Sequence, residues 1–284
     1  MSNPPDRRTF LKQALIASAA FPVITLFGCG QDSGALPVTT PDTSGDSDDS
    51  TTVNTTEWAS GGTQNLMANF PTTDLFNSAS VCSVVLTKSL TEGPCYFMAD
   101  VLDDISEGQP GLPSQLCLQV IDANCQPQAN LEIEVWHCNV NGLYSGNTEQ
   151  SADAGRFAGG FCTGNDSQAV QSKWFRGTAI TDSDGRVNFK TCFPGWYSSR
   201  TIHIHFRVKN NNRDQVISQF CFNDALTKAI CTTHPDYAHR GEQDTPLSGG
   251  RDTVFGSNAD EFVMDIKNNE DGSLLLYKRI IINT

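Results

Sequence analysis

The chain predicts an all-β fold, an antiparallel β-sandwich, and three observations carry that expectation. Eight short runs rich in β-branched, apolar and aromatic residues recur along its C-terminal two thirds. Turn-forming Gly, Asp, Asn and Pro separate them, and one short stretch alone has helical character. The domain that holds them has about 220 residues, a length at which sandwiches fold as one unit around a substantial core.

The strands are expected, in order, at 116–121, 131–138, 175–181, 186–191, 201–208, 215–222, 261–266 and 274–282, with the helix at 224–229. Asp184-Gly185 and Asp271-Gly272 each stand between two strand runs. Such a pair supplies the positive φ of a tight turn, so both predict hairpins. Alternation places His137 on the face of Leu131, Ile133 and Val135, as a satisfied core histidine. His234 and His239 fall in a polar loop with no partner motif.

Ahead of the domain, residues 1–29 read as an address. Asp6-Arg7-Arg8-Thr9-Phe10-Leu11-Lys12 is a twin-arginine signal, and the apolar stretch 14–27 is too short to span a bilayer as a stable helix. Leu26-Phe27-Gly28-Cys29 resembles a lipoprotein cleavage box, so Cys29 is the expected lipidation site and mature N-terminus. Residues 30–63 are rich in Ser, Thr, Asp and Gly and cannot bury enough apolar surface to offset their ordering entropy. They predict a disordered tether, and residues 64–284 the folded domain. The expected location is the cell envelope, at the outer membrane or cell surface, with membrane contact only through the lipid at Cys29.

A net charge of −13, from 32 acidic against 19 basic residues, argues against a nucleic-acid partner. Ten cysteines in an exported chain suggest disulfides, and using Cys29 for lipid leaves an odd number. Cys221 and Cys231 flank the short helix, while Cys125 and Cys138 follow and end successive strands. Those two bridges are expected. There is no Cys-x-x-Cys, which weighs against a structural zinc site.

The chemistry concentrates in Phe193-Pro194-Gly195-Trp196-Tyr197-Ser198-Ser199-Arg200-Thr201-Ile202-His203-Ile204-His205-Phe206. A strand's period of two aims His203 and His205 at the same face, presenting two imidazole ligands together. The Pro194-Gly195 turn brings Tyr197 back towards them. A phenol has a free pKa of about 10, so it ligates near neutral pH only on a strongly Lewis-acidic ion, Fe(III) more readily than Zn(II).

These residues resemble the intradiol ring-cleavage dioxygenases. The likeness runs through Thr91-Glu92-Gly93-Pro94-Cys95-Tyr96, Val135-Trp136-His137-Cys138-Asn139-Val140-Asn141-Gly142-Leu143-Tyr144-Ser145, Phe175-Arg176-Gly177-Thr178, the fourteen-residue run above, and Ile217-Ser218-Gln219-Phe220. It is nearest to the exported branch, similar to the β-subunit of protocatechuate 3,4-dioxygenase. The resemblance implies an intradiol-type sandwich with long loops and a non-haem Fe(III) held by Tyr144, Tyr197, His203 and His205. Arg200 and Gln219 match catalytic positions beside the metal, and Tyr197 would also serve as a base. Pro94, Cys95, Tyr96 and Trp174 would line the substrate pocket, with Cys95 standing where the family usually has an aromatic. The implied substrates are a catechol-type diol and O2, and the product is a muconate-type diacid. A cell-surface β-sandwich binding module that keeps the site without turnover is the alternative.

Overall fold

In a computed structural model, residues 57–76, 85–146, 154–157, 159–257 and 259–283 are described. The twin-arginine motif, Cys29 and residues 30–56 of the tether lie outside them. Among the described residues, eight strands form two four-stranded sheets: β1 (Pro113–Asp122), β2 (Glu132–Trp136), β3 (Arg176–Ile180), β4 (Arg186–Cys192), β5 (His203–Asn210), β6 (Arg213–Cys221), β7 (Asp265–Asn268) and β8 (Leu274–Ile282). One sheet has the order β4-β1-β8-β7 and the other β3-β2-β5-β6.

Alternation builds the interior. Leu116, Leu118 and Val120 of β1 join Ile133 and Val135 of β2, Ile204, Phe206 and Val208 of β5, and Leu276 and Ile280 of β8 in one buried cluster. Phe206 and Phe220 stack across β5 and β6 at 4.2 Å. The residues between these, His203, His205 and Arg207, point to the opposite face of the second sheet, yet they are buried too. Loops cover that outer face, and the enclosed space beneath them is where a site can be built. Packing of the domain begins at Trp58, which lies against the core and donates from Nε1 to Thr233 Oγ1 at 2.9 Å.

The all-β sandwich matches the expectation, with four corrections. First, the sheets are not purely antiparallel: β1 and β8 pair in parallel over nine residue positions, from Ser114 opposite Leu274 to Asp122 opposite Ile282. Second, Asp184-Gly185 makes a tight turn, with Gly185 at φ +72°, but β3 and β4 leave it for different sheets, so it is a corner and not a hairpin. Asp271-Gly272 does close a hairpin, between β7 and β8. Third, the run at 261–266 is split between a 3-10 turn, Ala259–Phe262, and β7.

Fourth, neither expected disulfide forms. β1 and β2 belong to different sheets, which keeps Cys138 from Cys125. Cys138 is free, and the disulfide that Cys125 makes is not with it. Cys221 and Cys231 are also free, one packed with Phe255 and Phe262, the other in the main core. Among the described residues, Cys95 is bridged to Cys162, across 67 residues.

Among the described residues, two α-helices complete the fold. α1 (Ser167–Gln171), which the sequence did not announce, is capped by Asp166, and α2 (Asp224–Thr233) is capped by Asn223, whose side chain accepts from Leu226 N. α2 outlasts its expected end by four residues. His234 at its C-cap is buried, donating from Nε2 to Ala59 O at 2.8 Å and accepting from Asp236 N, unlike the polar loop expected.

Candidate metal centre

Three segments bring the site together. β5 presents His203 and His205 on the covered face, two residues apart. The loop after β2 carries Tyr144, and the Pro194-Gly195 turn carries Tyr197. The two tyrosine loops interlock at glycines: a Cβ on Gly195 would lie 2.5 Å from the carbonyl oxygens of both Asn139 and Val140, and one on Gly142 would collide with Trp196 O. Gly195 N donates to Asn139 O at 3.2 Å across the same junction.

Four donor atoms converge. His203 Nε2 lies 3.2 Å from Tyr144 Oη, 3.2 Å from Tyr197 Oη and 3.0 Å from His205 Nε2, and His205 Nε2 lies 3.1 Å from Tyr144 Oη. Neighbouring ligands on one ion with bonds of about 2.0–2.1 Å stand at just such separations. The tautomer of His203 agrees with that use. His203 Nδ1 donates to Thr201 O at 2.6 Å, which leaves the Nε2 lone pair facing the centre. Trp136 stacks on His205 at 4.9 Å and fixes the plane of its ring. Among the described residues no group of three or more His, Cys, Asp or Glu is placed to hold a metal. The donor set here is two phenols and two imidazoles.

Burial, and after it the charge of Arg200 on His203 and the neighbouring His203 on His205, hold both imidazoles well below their usual pKa and so neutral. Burial raises the phenol of Tyr144 well above its ordinary value and raises that of Tyr197 as well. Neither phenol would ionise there except against a strong positive charge set between them. A ferric ion therefore suits these four residues in donor type, spacing and charge.

Arg200 and Gln219 meet beside the centre. Arg200 Nη2 donates to Gln219 Oε1 at 2.5 Å, its Nε donates to Asp252 Oδ2 at 2.9 Å, and its Nη1 lies 3.5 Å from His203 Nε2. Gln219 Nε2 in turn donates to Thr91 O at 2.8 Å.

The dioxygenase family model matches residues 97–235. An intradiol ring-cleavage dioxygenase from Tetranychus urticae is similar at 26% identity, over 70% of this chain and 95% of that one, with a TM-score of 0.58. The domain has the β-sandwich fold of the intradiol dioxygenases. A second solved dioxygenase is similar at 24% identity, over 70% of this chain and 94% of that one, with a TM-score of 0.56. The dioxygenase domain of a carbohydrate-binding fusion from Streptomyces sp. SirexAA-E matches at 18% identity, 70% and 99% coverage and a TM-score of 0.49. No curated protein matches the chain.

The matched segment of this intradiol-type domain holds all six of Tyr144, Tyr197, Arg200, His203, His205 and Gln219. The expected pocket residues divide. The loop of Pro94, Cys95 and Tyr96 runs over the site: a Cβ on Gly93 would lie 3.3 Å from His205 Cε1, and Tyr96 meets Trp136 edge-on at 5.2 Å while donating to Glu134 at 3.0 Å. Cys95 is spent in the disulfide. The Trp174 ring packs with Ala169, Phe175 and Cys192, away from the four donors, and only its carbonyl reaches towards them, accepting from Ser145 Oγ at 2.7 Å.

Two residues escaped the sequence reading. Asp252 is buried, accepts from Arg200 and also takes Thr201 N at 2.8 Å, so it orients the arginine and the strand entry together. Arg176 is buried, donates to Ser145 O at 2.7 Å and Cys95 O at 2.7 Å, and stands 5.8 Å from the Tyr144 ring. Burial lowers its pKa to about 10. Its place inside Phe175-Arg176-Gly177-Thr178 was a usable signal, whereas nothing near Asp252 marks it.

Proposed function

We propose that this domain is a non-haem ferric dioxygenase that opens catechol-type diols between the two hydroxyls, taking up O2 to give a muconate-type diacid. One observation carries the reading: the four donor atoms of Tyr144, Tyr197, His203 and His205 meet at 3.0–3.2 Å inside an intradiol-type domain. When bound, Fe(III) would acidify the diol and draw electron density from the ring. Tyr197 is the more exposed of the two phenols, and its Oη would accept a proton from a substrate hydroxyl. Tyr144, buried, would stay a fixed ligand. The Nη1 of Arg200 faces the centre from a frame of Asp252 and Gln219, where it would stabilise negative charge growing on the ring. The reading extends to export and a lipid anchor, supported by Arg7-Arg8 and Cys29.

The test is to purify the chain from Gly30 onward and measure iron, visible absorption and O2 uptake with a catechol panel. The expected result is one iron per chain, a reddish phenolate band and one O2 consumed per diol opened. A colourless, iron-free protein still active on catechols would overturn the site, and diol binding without O2 uptake would support a binding module.

A further inference from the structure

Burial is the rule for phenylalanine in this domain, and two break it. Among the described residues Phe157 and Phe161 are the exposed phenylalanines, at 42% and 47%. They are not scattered. Their ring centroids lie 4.6 Å apart with planes tilted by 37°, and Phe161 meets Tyr197 edge-on at 6.4 Å. The exposed aromatic surface therefore begins one ring contact away from the candidate proton acceptor.

Phe161 is also held in place. Gly160, at φ +80°, starts the turn that carries Phe161, and Gly164 N donates back to Gly160 O at 2.7 Å. The next residue, Cys162, is bridged to Cys95, and its carbonyl accepts from Tyr144 N at 2.8 Å. Phe161 is thus tied through one residue to a candidate ligand, and Phe157 reaches it through its ring contact with Phe161. The backbone beside them is open, because a Cβ on Gly155 or Gly159 would meet nothing within 4 Å. Exposed apolar surface kept in a fixed place next to a reacting centre marks a place for an apolar part of the substrate.

Resting on the ring-opening reading, we propose that Phe157 and Phe161 form a platform for the second ring of an extended, two-ring catechol. The diol ring enters beside Tyr197, and the distal ring packs on Phe161 and then on Phe157. A single small diol would leave the platform bare.

The test compares wild type with Phe157→Ala, Phe161→Ala and Phe161→Trp in the iron-loaded protein. Two quantities are read. The first is kcat/KM for 4-(2-phenylethyl)catechol relative to catechol. The second is the calorimetric Kd of 4-(2-phenylethyl)phenol, which has one hydroxyl and cannot be opened. Wild type should prefer the two-ring diol, Phe161→Ala should lower that preference roughly fivefold to tenfold, chiefly through KM, and weaken the phenol by a similar factor. Phe161→Trp should restore both. An unchanged preference and an unchanged Kd in both alanine variants would overturn the platform, as would equal losses on one-ring and two-ring diols. Failure of O2 uptake with every diol, together with a Kd that still depends on Phe161, would sink the ring-opening reading and leave the platform standing.

Discussion

At the scale of single residues, the candidate centre was legible wherever a local pattern carried it. A strand's alternation aimed His203 and His205 together, and a Pro-Gly turn returned Tyr197, with Tyr144 supplied by the family likeness. What could not be read was reach across the chain, because Asp252 joins Arg200 only after folding. Asp252→Asn keeps the shape but removes the counter-charge, so it should retain iron and lose about tenfold in kcat. Arg200→Lys cannot copy the planar fork and should lose roughly 10²–10³ in turnover with the colour retained, which rapid mixing with O2 would show. His137 was read correctly as core: it is buried, donating from Nδ1 to Cys138 O and accepting from Thr191 Oγ1, both at 2.8 Å. Burial lowers its pKa to about 4, from an ordinary 6.5. Its contribution to stability is thus complete above pH 6.5 and is lost as pH falls towards 4. Urea unfolding should show roughly 2–3 kcal/mol less stability at pH 4.5 than at pH 7 from this group, and His137→Gln should remove that share of the slope.

At the scale of elements, seven of the eight strands were legible to within a few residues, because β-branched alternation is local, while most of the run at 261–266 lies outside β7. Partnership was not legible. Asp184-Gly185 has the chemistry of a hairpin, yet the same turn serves a corner, since the place of the next strand is decided by which sheet has a vacant edge. The Cys125–Cys138 expectation failed for that reason, since the strands those cysteines follow lie in opposite sheets, whereas Cys221 and Cys231 pack into separate apolar clusters at the end of β6 and within α2. The Cys95–Cys162 bridge should contribute roughly 2–4 kcal/mol by restricting the unfolded chain over its 67-residue span, so a Cys95→Ala, Cys162→Ala double variant should unfold at correspondingly lower urea. The glycine junction between the tyrosine loops makes a sharper claim. Gly195→Ala would force apart the segments carrying Tyr144 and Tyr197, so iron content should fall far more than secondary structure measured by circular dichroism.

At the scale of the whole molecule, the sandwich class was legible and the parallel pair inside it was not, since strand direction depends on the path of more than a hundred intervening residues. The N-terminal reading makes a separate claim: Cys29→Ser should move the mature protein from the membrane fraction to the soluble one, and Arg7→Lys with Arg8→Lys should leave precursor inside the cell. The parallel pair also dictates an order of events. The site-bearing sheet has all its strands by Cys221, but the other stays open until β8, made last, slides between β1 and β7. A ribosome can thus emit every candidate iron ligand while half the core still lacks its cover. Assembly must wait for synthesis to pass residue 282, and a chain cut short before β8 would present a sticky, unfinished sheet to the cell's quality control.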